Sequence, residues 1–343
     1  MSLADELEST LASRMPSPTK PSGSRRRRVL AVLCAGILLV VTVVTVVALV
    51  LTRSLVGDLT VLPGVVTDTG QARGASLNVL LLGVDGTPPE DSWASGATGV
   101  RSDTVMLVHV PADRSSVQVI SLMRDTWVDV PGHGEAKLNA AFSWGGARLT
   151  VQTVEQLLAV RIDHVAVIDF EGLGALADAL GGVPVESPVA FSSRNMPGFS
   201  FTAGQNVVEG DRALAFVRER YSFRDADFQR VRNQASFVRG AVDRLHDVAT
   251  EKDLQAFTTI TRELSSTAAV DSELTALSAV EIGWSLRGVS GQAVSTATLP
   301  TAGTDTRDGQ SVVVQDVDGV ARLRDAIGAD DVAAFIEQEG GRE

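Results

Sequence analysis

Residues 77–84 read Leu-Asn-Val-Leu-Leu-Leu-Gly-Val and are followed at once by Asp85-Gly86. A nearly unbroken apolar run of this length, bounded by turn residues, predicts a strand buried inside an α/β sheet. Ligands gather outside the carboxyl ends of such strands, which puts Asp85 where a cation or a hydrogen-bond donor can bind. A turn Asp before Gly is the plainer alternative. Working outward, residues 104–110 and 117–122 read as two more strands, joined through Pro111-Ala112-Asp113-Arg114 as a hairpin. Helical spacing over 149–160 is followed by a strand over 164–170. A helix over 173–180 is stopped by Gly181-Gly182, and a short strand follows over 183–186. Residues 209–217 read as a helix, and Phe228, Val231, Ala235, Val238, Val242 and Leu245 keep the 3-4 spacing of one helix face. Further helices are expected over 253–264, 272–284 and 317–327, with strands over 292–299 and 311–314. Interleaving of this kind predicts a three-layer α/β/α domain with a central mixed β-sheet over residues 76–330, and a C-terminal tail over 331–343.

Upstream of this domain the chain changes character. Residues 29–51 are 23 residues without a charge, rich in Val and Leu, and predict one transmembrane helix. The run is too long for a signal peptide, and Leu51-Thr52-Arg53 is a poor cleavage site. Arg25 to Arg28 precede it, so residues 1–28 are expected as a disordered cytoplasmic tail. Residues 52–75 would form a tether leading to an extracellular domain. The whole chain of 343 residues is 44% apolar and 21% charged, which supports a folded core, and its net charge is −12. Residues 1–53 carry +4, so the remainder carries −16. An acidic body speaks against a nucleic-acid partner. The single Cys34 excludes a disulfide framework and a Cys-based zinc site.

Four clusters place charge beside predicted strands. Asp85 is the first. Arg101-Ser102-Asp103 enters a strand, and residues two apart in extended chain face the same side, so Arg101 and Asp103 either share a ligand or pair with each other. Arg124-Asp125 ends a strand, with Lys137 downstream, and Asp125 reads equally as a capping or pairing residue. The fourth is the densest: Arg218, Arg220, Arg224, Arg230 and Arg232 fall within fifteen residues. Arg230 and Gln234 share one side of a helix, whereas Arg218 and Arg220 would diverge by about 200° unless the helix ends near Val217. Guanidinium forks suit phosphate oxygens; the alternative is a solvated cluster paired with Glu219, Asp225 and Asp227. Two carboxylates beside a phosphate can hold a magnesium ion that keeps its waters. No nucleotide-binding loop, nucleophile elbow or zinc-protease motif occurs.

These segments together resemble the LytR-CpsA-Psr family of membrane-anchored cell-wall ligases. The resemblance runs in order through NVLLLGVD (78–85), RSDTVMLVHV (101–110), ISLMRDTWV (120–128), KLNAAFSWGG (137–146), IDFEGLGALADALGGVPV (168–185), EGDRALAFVRER (209–220) and DFQRVRNQ (227–234). It implies a phosphotransferase that moves a glycopolymer (wall teichoic acid, capsule or arabinogalactan) from a polyprenyl-pyrophosphate carrier to peptidoglycan. It also implies Mg2+ on Asp85 and Asp103. Arg101, Arg124, Lys137, Arg218, Arg220, Arg230 and Gln234 would hold the pyrophosphate, and Arg101, Arg124 and Asp125 would carry the catalytic work. Asp125 or Asp227 can serve as general base, and nothing in the sequence selects one. The family's apolar tunnel for the carrier would draw on Phe170, Leu173, Leu176, Leu180 and Phe216. Many members have Arg-Gln-Gln where this chain has Asn233-Gln234-Ala235. A pyrophosphatase and a non-enzymatic binder of lipid phosphates are the rival readings.

Overall fold

The computed structural model describes residues 60–66, 75–85, 92–95, 101–251 and 254–340. In chain order the elements begin with β1 (Thr60–Leu62), β2 (Leu77–Val84), α1 (Ser92–Ser95), β3 (Ser102–Val110), β4 (Val117–Leu122), β5 (Trp127–Val130) and β6 (Gly134–Lys137). The middle of the chain forms α2 (Leu138–Leu158), β7 (His164–Asp169), α3 (Phe170–Ala179), β8 (Val183–Ser187), β9 (Phe191–Ser192), β10 (Ser200–Phe201), β11 (Gly204–Val208), α4 (Gly210–Val217) and α5 (Asp227–Glu251). The last part forms α6 (Leu254–Thr267), β12 (Ala268–Asp271), α7 (Ala276–Ser285), β13 (Val294–Thr298), β14 (Thr301–Arg307), β15 (Gln310–Gln315), α8 (Val317–Gly328) and α9 (Val332–Gly340).

Seven strands build one sheet in the order β1-β12-β7-β2-β3-β4-β13. β2 lies parallel to β7 and antiparallel to β3, and β4 lies parallel to β13, so the sheet is mixed as expected. The β3–β4 hairpin turns through Pro111–Arg114, where Arg114 N–H donates to the Pro111 carbonyl at 2.9 Å and Arg114 takes a φ of +57°. Burial alternates strictly along β2. Leu80, Leu82 and Val84 are fully buried against α2, α8 and α9. Each such side chain contributes about 1.5–3 kcal/mol relative to leaving it in water. On the opposite face Met106, Val110, Val117 and Val119 pack with Val238 and Val242 of α5, while Leu77, Val79 and Leu81 stay half-buried. The other side of α5, through Phe237 and Ala241, joins a third cluster with α3, α4 and α6. Helices thus cover both faces of the sheet, and α5 wedges between sheet and outer helices.

Several expected boundaries are corrected. The helix expected over 149–160 begins at Leu138, because Gly145 and Gly146 kink it rather than end it; Gly146 has a φ of +62°. A short strand, β12, precedes the helix expected at 272, and a hairpin partner, β14, precedes the strand expected at 311. Within the expected tether of 52–75, residues 60–62 form an edge strand parallel to β12, and Leu62 and Val65 are buried in the main core. The expected tail of 331–343 is likewise corrected, since Val332–Gly340 is a helix whose Val332 and Phe335 join that core. The expected transmembrane helix at 29–51 and the tail at 1–28 lie outside the described residues. Among the described residues no helix is long and apolar enough to cross a membrane.

Candidate active site

Strands β2, β4 and β7 run the same way, so Asp85, Arg124 and Phe170 leave the sheet at one edge, and antiparallel β3 enters at that edge with Asp103. The pairing of β2 with β3 slips there: Gly83 faces Thr104 but Val84 faces Ser102, which leaves Asp103 as the extra residue of a bulge. Ser102 turns inward, fully buried, and donates to the Thr104 carbonyl at 2.8 Å. The bulge re-aims Asp103 into a hollow of about 350 Å3. Its wall combines Asp85, Asp103 and Arg124 with Phe170, Arg218, Arg220, Arg230 and Gln234.

The far wall depends on where α4 stops. It ends at Val217, and the amide side chains of Asn233 and Gln234 on α5 donate to the Phe216 and Val217 carbonyls at 3.0 and 3.4 Å. These carbonyls have no partner inside a helix that ends here, so α5 supplies one. Arg218 and Arg220 then leave the helix and converge, as the sequence requires. Gln234 lines the hollow, but its amide holds the helix end, and Asn233 has the same task. The Arg218 guanidinium lies over the Phe170 ring at 4.4 Å and reaches Asp85 Oδ1 at 3.4 Å.

Asp227 is the hub of the cations. Its carboxylate lies 3.0 Å from Arg230, 3.5 Å from Arg220 and 3.5 Å from Arg124. Arg124 also pairs with Asp103. Burial works against the Arg124 charge, but Asp103, Asp227 and Asp125 outweigh it and push its pKa above the ordinary value. Arg230 goes the other way: burial, with Arg124 as a neighbouring cation, pulls it down against the attraction of Asp227. The Nε–H groups of Arg124 and Arg230 are buried and find no hydrogen-bond acceptor among the described residues. Four guanidiniums but only two carboxylates, Asp85 and Asp103, line the small hollow, and an added phosphate anion would relieve that surplus.

Three expected site residues lie elsewhere. Arg101, Asp125 and Lys137 line a second hollow of about 540 Å3, which shares Arg124 with the first. The bulge at Asp103 breaks the two-residue alternation that would have put Arg101 on the same side. Lys137 binds Asp125 at 3.0 Å.

One residue has a role that the sequence reading, which offers it only as a pairing partner of the arginines, does not give. Glu219, between the two converging arginines, is fully buried and is not their ion-pair partner. Its carboxylate accepts from Ser193 Oγ at 2.7 Å and from the backbone N–H groups of Arg194, Asn195, Arg220 and Ser222 at 2.6–3.2 Å. It ties two loops into the rim that places Asn195, Met196 and Tyr221 on the hollow. Burial raises its pKa, but the hydrogen bonds from Ser193, Asn195, Ser222 and Arg194 win, and the net direction is down. Of the expected tunnel residues, Phe170 lines the hollow, whereas Leu180 and Phe216 are packed in the core between α3, α4 and α5.

The model of the LytR_cpsA_psr family matches residues 64–326. A polyisoprenyl-teichoic acid–peptidoglycan teichoic acid transferase, TagU of Enterococcus faecalis, is 37% identical over 169 residues, covering 49% of this chain and 53% of that protein. TagU of Halalkalibacterium halodurans is 38% identical over 167 residues, covering 48% and 52%. The chain thus spans about half the length of the curated relatives it matches. Among solved structures, Bacillus subtilis TagV aligns with a TM-score of 0.63 at 22% identity, over 75% of this chain and 97% of that one. A structure of TagT bound to LIIa-WTA aligns at 0.61 and 22% identity, over 76% and 93%. These structures share the fold.

Proposed function

The chain belongs to the LytR_cpsA_psr family, and from that premise we propose that it is a phosphotransferase joining a glycopolymer, carried on a polyprenyl pyrophosphate, to peptidoglycan. One observation carries this reading: four guanidiniums meet in one hollow beside a half-covered apolar sheet face. Gly83 stands on that open face with Leu77, Val79 and Leu81, and Asp85 follows it at the hollow. Val108, Ala166 and Ile168 continue the half-buried surface on the neighbouring strands. A carrier with a doubly charged head and an apolar tail matches such a surface, head in the hollow and tail along the sheet. These residues replace Leu180 and Phe216 as candidates for contact with the tail.

The acceptor hydroxyl attacks the phosphorus attached to the glycan. A new P–O bond forms, the P–O bond to the distal phosphate breaks, and polyprenyl phosphate leaves. Arg124, Arg218, Arg220 and Arg230 hold the charge that builds on the phosphoryl oxygens, the main demand of such a reaction. Asp227 keeps three of these cations in place, while Asp125, held by Lys137 and Arg124, lines the neighbouring hollow and is the candidate acceptor for the hydroxyl proton. Asp85 and Asp103 line one hollow from two paired strand ends, and two carboxylates are what a water-keeping magnesium ion needs. Mg2+ bound there would neutralise oxygens of the leaving phosphate. Residues 29–51 are read as the anchor that keeps the domain outside the cell beside a water-insoluble donor.

The test is the full chain in lipid vesicles with a short polyprenyl-pyrophosphate glycan, soluble peptidoglycan strands and magnesium. A glycan–peptidoglycan phosphodiester, lost on chelation of the metal, is the expected product. Release of glycan phosphate to water alone, with acceptor present, would make the protein a pyrophosphatase.

A further inference from the structure

The second hollow is unlike the first in charge. Arg101, Arg124 and Lys137 are balanced by Asp125, Glu135 and Asp308, so it has no surplus for a phosphate. What it presents instead is a flat aromatic ring with neutral polar groups around it. Trp144 is 47% exposed, a large apolar surface left in water, yet it is not loose. Its ring stacks on His133 with centroids 4.9 Å apart and planes 21° from parallel. His133 sits in the turn between β5 and β6, and the helix kink at Gly145-Gly146 follows Trp144 immediately. Two separate elements thus fix one ring at the rim. Deeper in the same wall, Trp127 is only 7% exposed, and its indole N–H has no hydrogen-bond acceptor among the described residues. A buried donor of this kind is unfavourable until something accepts from it. Asn139 and Gln310 add side-chain amides, which both donate and accept.

A pre-positioned aromatic face offers its negative centre to the C–H groups on the flat side of a sugar ring, while amides and an indole N–H meet the ring's oxygens. A volume of about 540 Å3 holds such a ring with room to spare. We propose that this hollow is a saccharide subsite, with Trp144 as its stacking platform. Arg124 belongs to both walls, so a sugar seated here lies next to the phosphate hollow, and Asp125 stands within the sugar's wall. The proposal rests on the transferase reading for its role, but not for the binding itself. The sugar can come from the acceptor strand or from the glycan of the donor; both present the same chemistry.

Binding is tested on the full chain in detergent, by calorimetry with an N-acetylglucosamine tetramer, with the lipid-free donor glycan, and with inorganic pyrophosphate. Trp144→Ala should weaken one of the two saccharides about tenfold, Trp144→Phe should restore most of that, and pyrophosphate affinity should not move. In the vesicle assay the same variant should raise KM for the substrate that carries the affected sugar, acceptor or donor, with little change in kcat. Equal saccharide affinity in wild type and Trp144→Ala would overturn the subsite. Saccharide and pyrophosphate binding without any transfer would overturn the transferase reading and leave the subsite standing.

Discussion

On one face of the central sheet Leu80, Leu82 and Val84 have no contact with water; on the other, at the alternate positions of the same strand, Leu77, Val79 and Leu81 remain half-buried. The same strand supplies both faces, and the difference lies in what covers them. Against the first lie α2, α8 and α9, whose apolar side chains close over it. Against the second lies mainly α5, which divides its apolar residues between the sheet and the outer helices. The closed face holds the molecule together. The open one leads to Asp85 and the arginine hollow, which is why strand parity separates structural from functional residues here.

Three substitutions sharpen that contrast. The largest expected effect is Arg218→Ala, which should reduce transfer by about a thousandfold or more while leaving the unfolding midpoint nearly unchanged. Its side chain is 37% exposed and is held by one carboxylate and one ring. A stability loss matching the activity loss would undo the separation of roles. Arg124→Ala is a poorer probe, because it strips partners from Asp103, Asp125 and Asp227 together. Next is Leu82→Ala on the closed face, with an expected cost of about 3 kcal/mol in urea unfolding and unchanged kcat per folded molecule. Leu81→Ala on the open face should cost about 1–2 kcal/mol and raise KM for the lipid donor, since part of its surface is still in water. If Leu81→Ala and Leu82→Ala behaved alike in both measurements, the two faces would not differ in the way described.

The strands at the heart of the sheet were legible because their apolar runs are long. The convergence of Arg218 and Arg220 was legible as well, since two arginines two residues apart can meet only beyond a helix end. Gln234 is expected as a ligand, but the task it shares with Asn233, holding the end of α4, was not legible, because a polar residue on a helix looks the same whether it faces water or a carbonyl. That Arg101 lines the second hollow and not the first was not legible for a related reason: a bulge at Asp103 leaves no mark in sequence, yet it breaks the alternation that would have put the two residues on one side. Strand β1 and helix α9 were missed because each is anchored by only a few apolar side chains, Leu62 and Val65 in one segment, Val332 and Phe335 in the other. Such short segments gain their structure from the core they dock on.

Glu219 offers the finest test of how the open side is built. Its carboxylate is held below the ordinary glutamate pKa by hydrogen bonds that outweigh its burial. The stability it contributes is therefore complete above the unfolded-chain value, about 4.3, and is lost as the pH falls through the lower folded value. Glu219→Gln keeps the shape but gives the loops an amide that can accept at only one end, so donors from one of the two loops lose their partner. The expected cost at neutral pH is about 1.5 kcal/mol, shrinking as the pH drops below about 4 because the wild type then loses the same interaction. Urea unfolding of both proteins across pH 3–7 measures this directly. A gap between them that stays constant down to pH 3 would mean that the charge of Glu219 does not hold the rim, and that the loops carrying Asn195 and Tyr221 are positioned by packing alone.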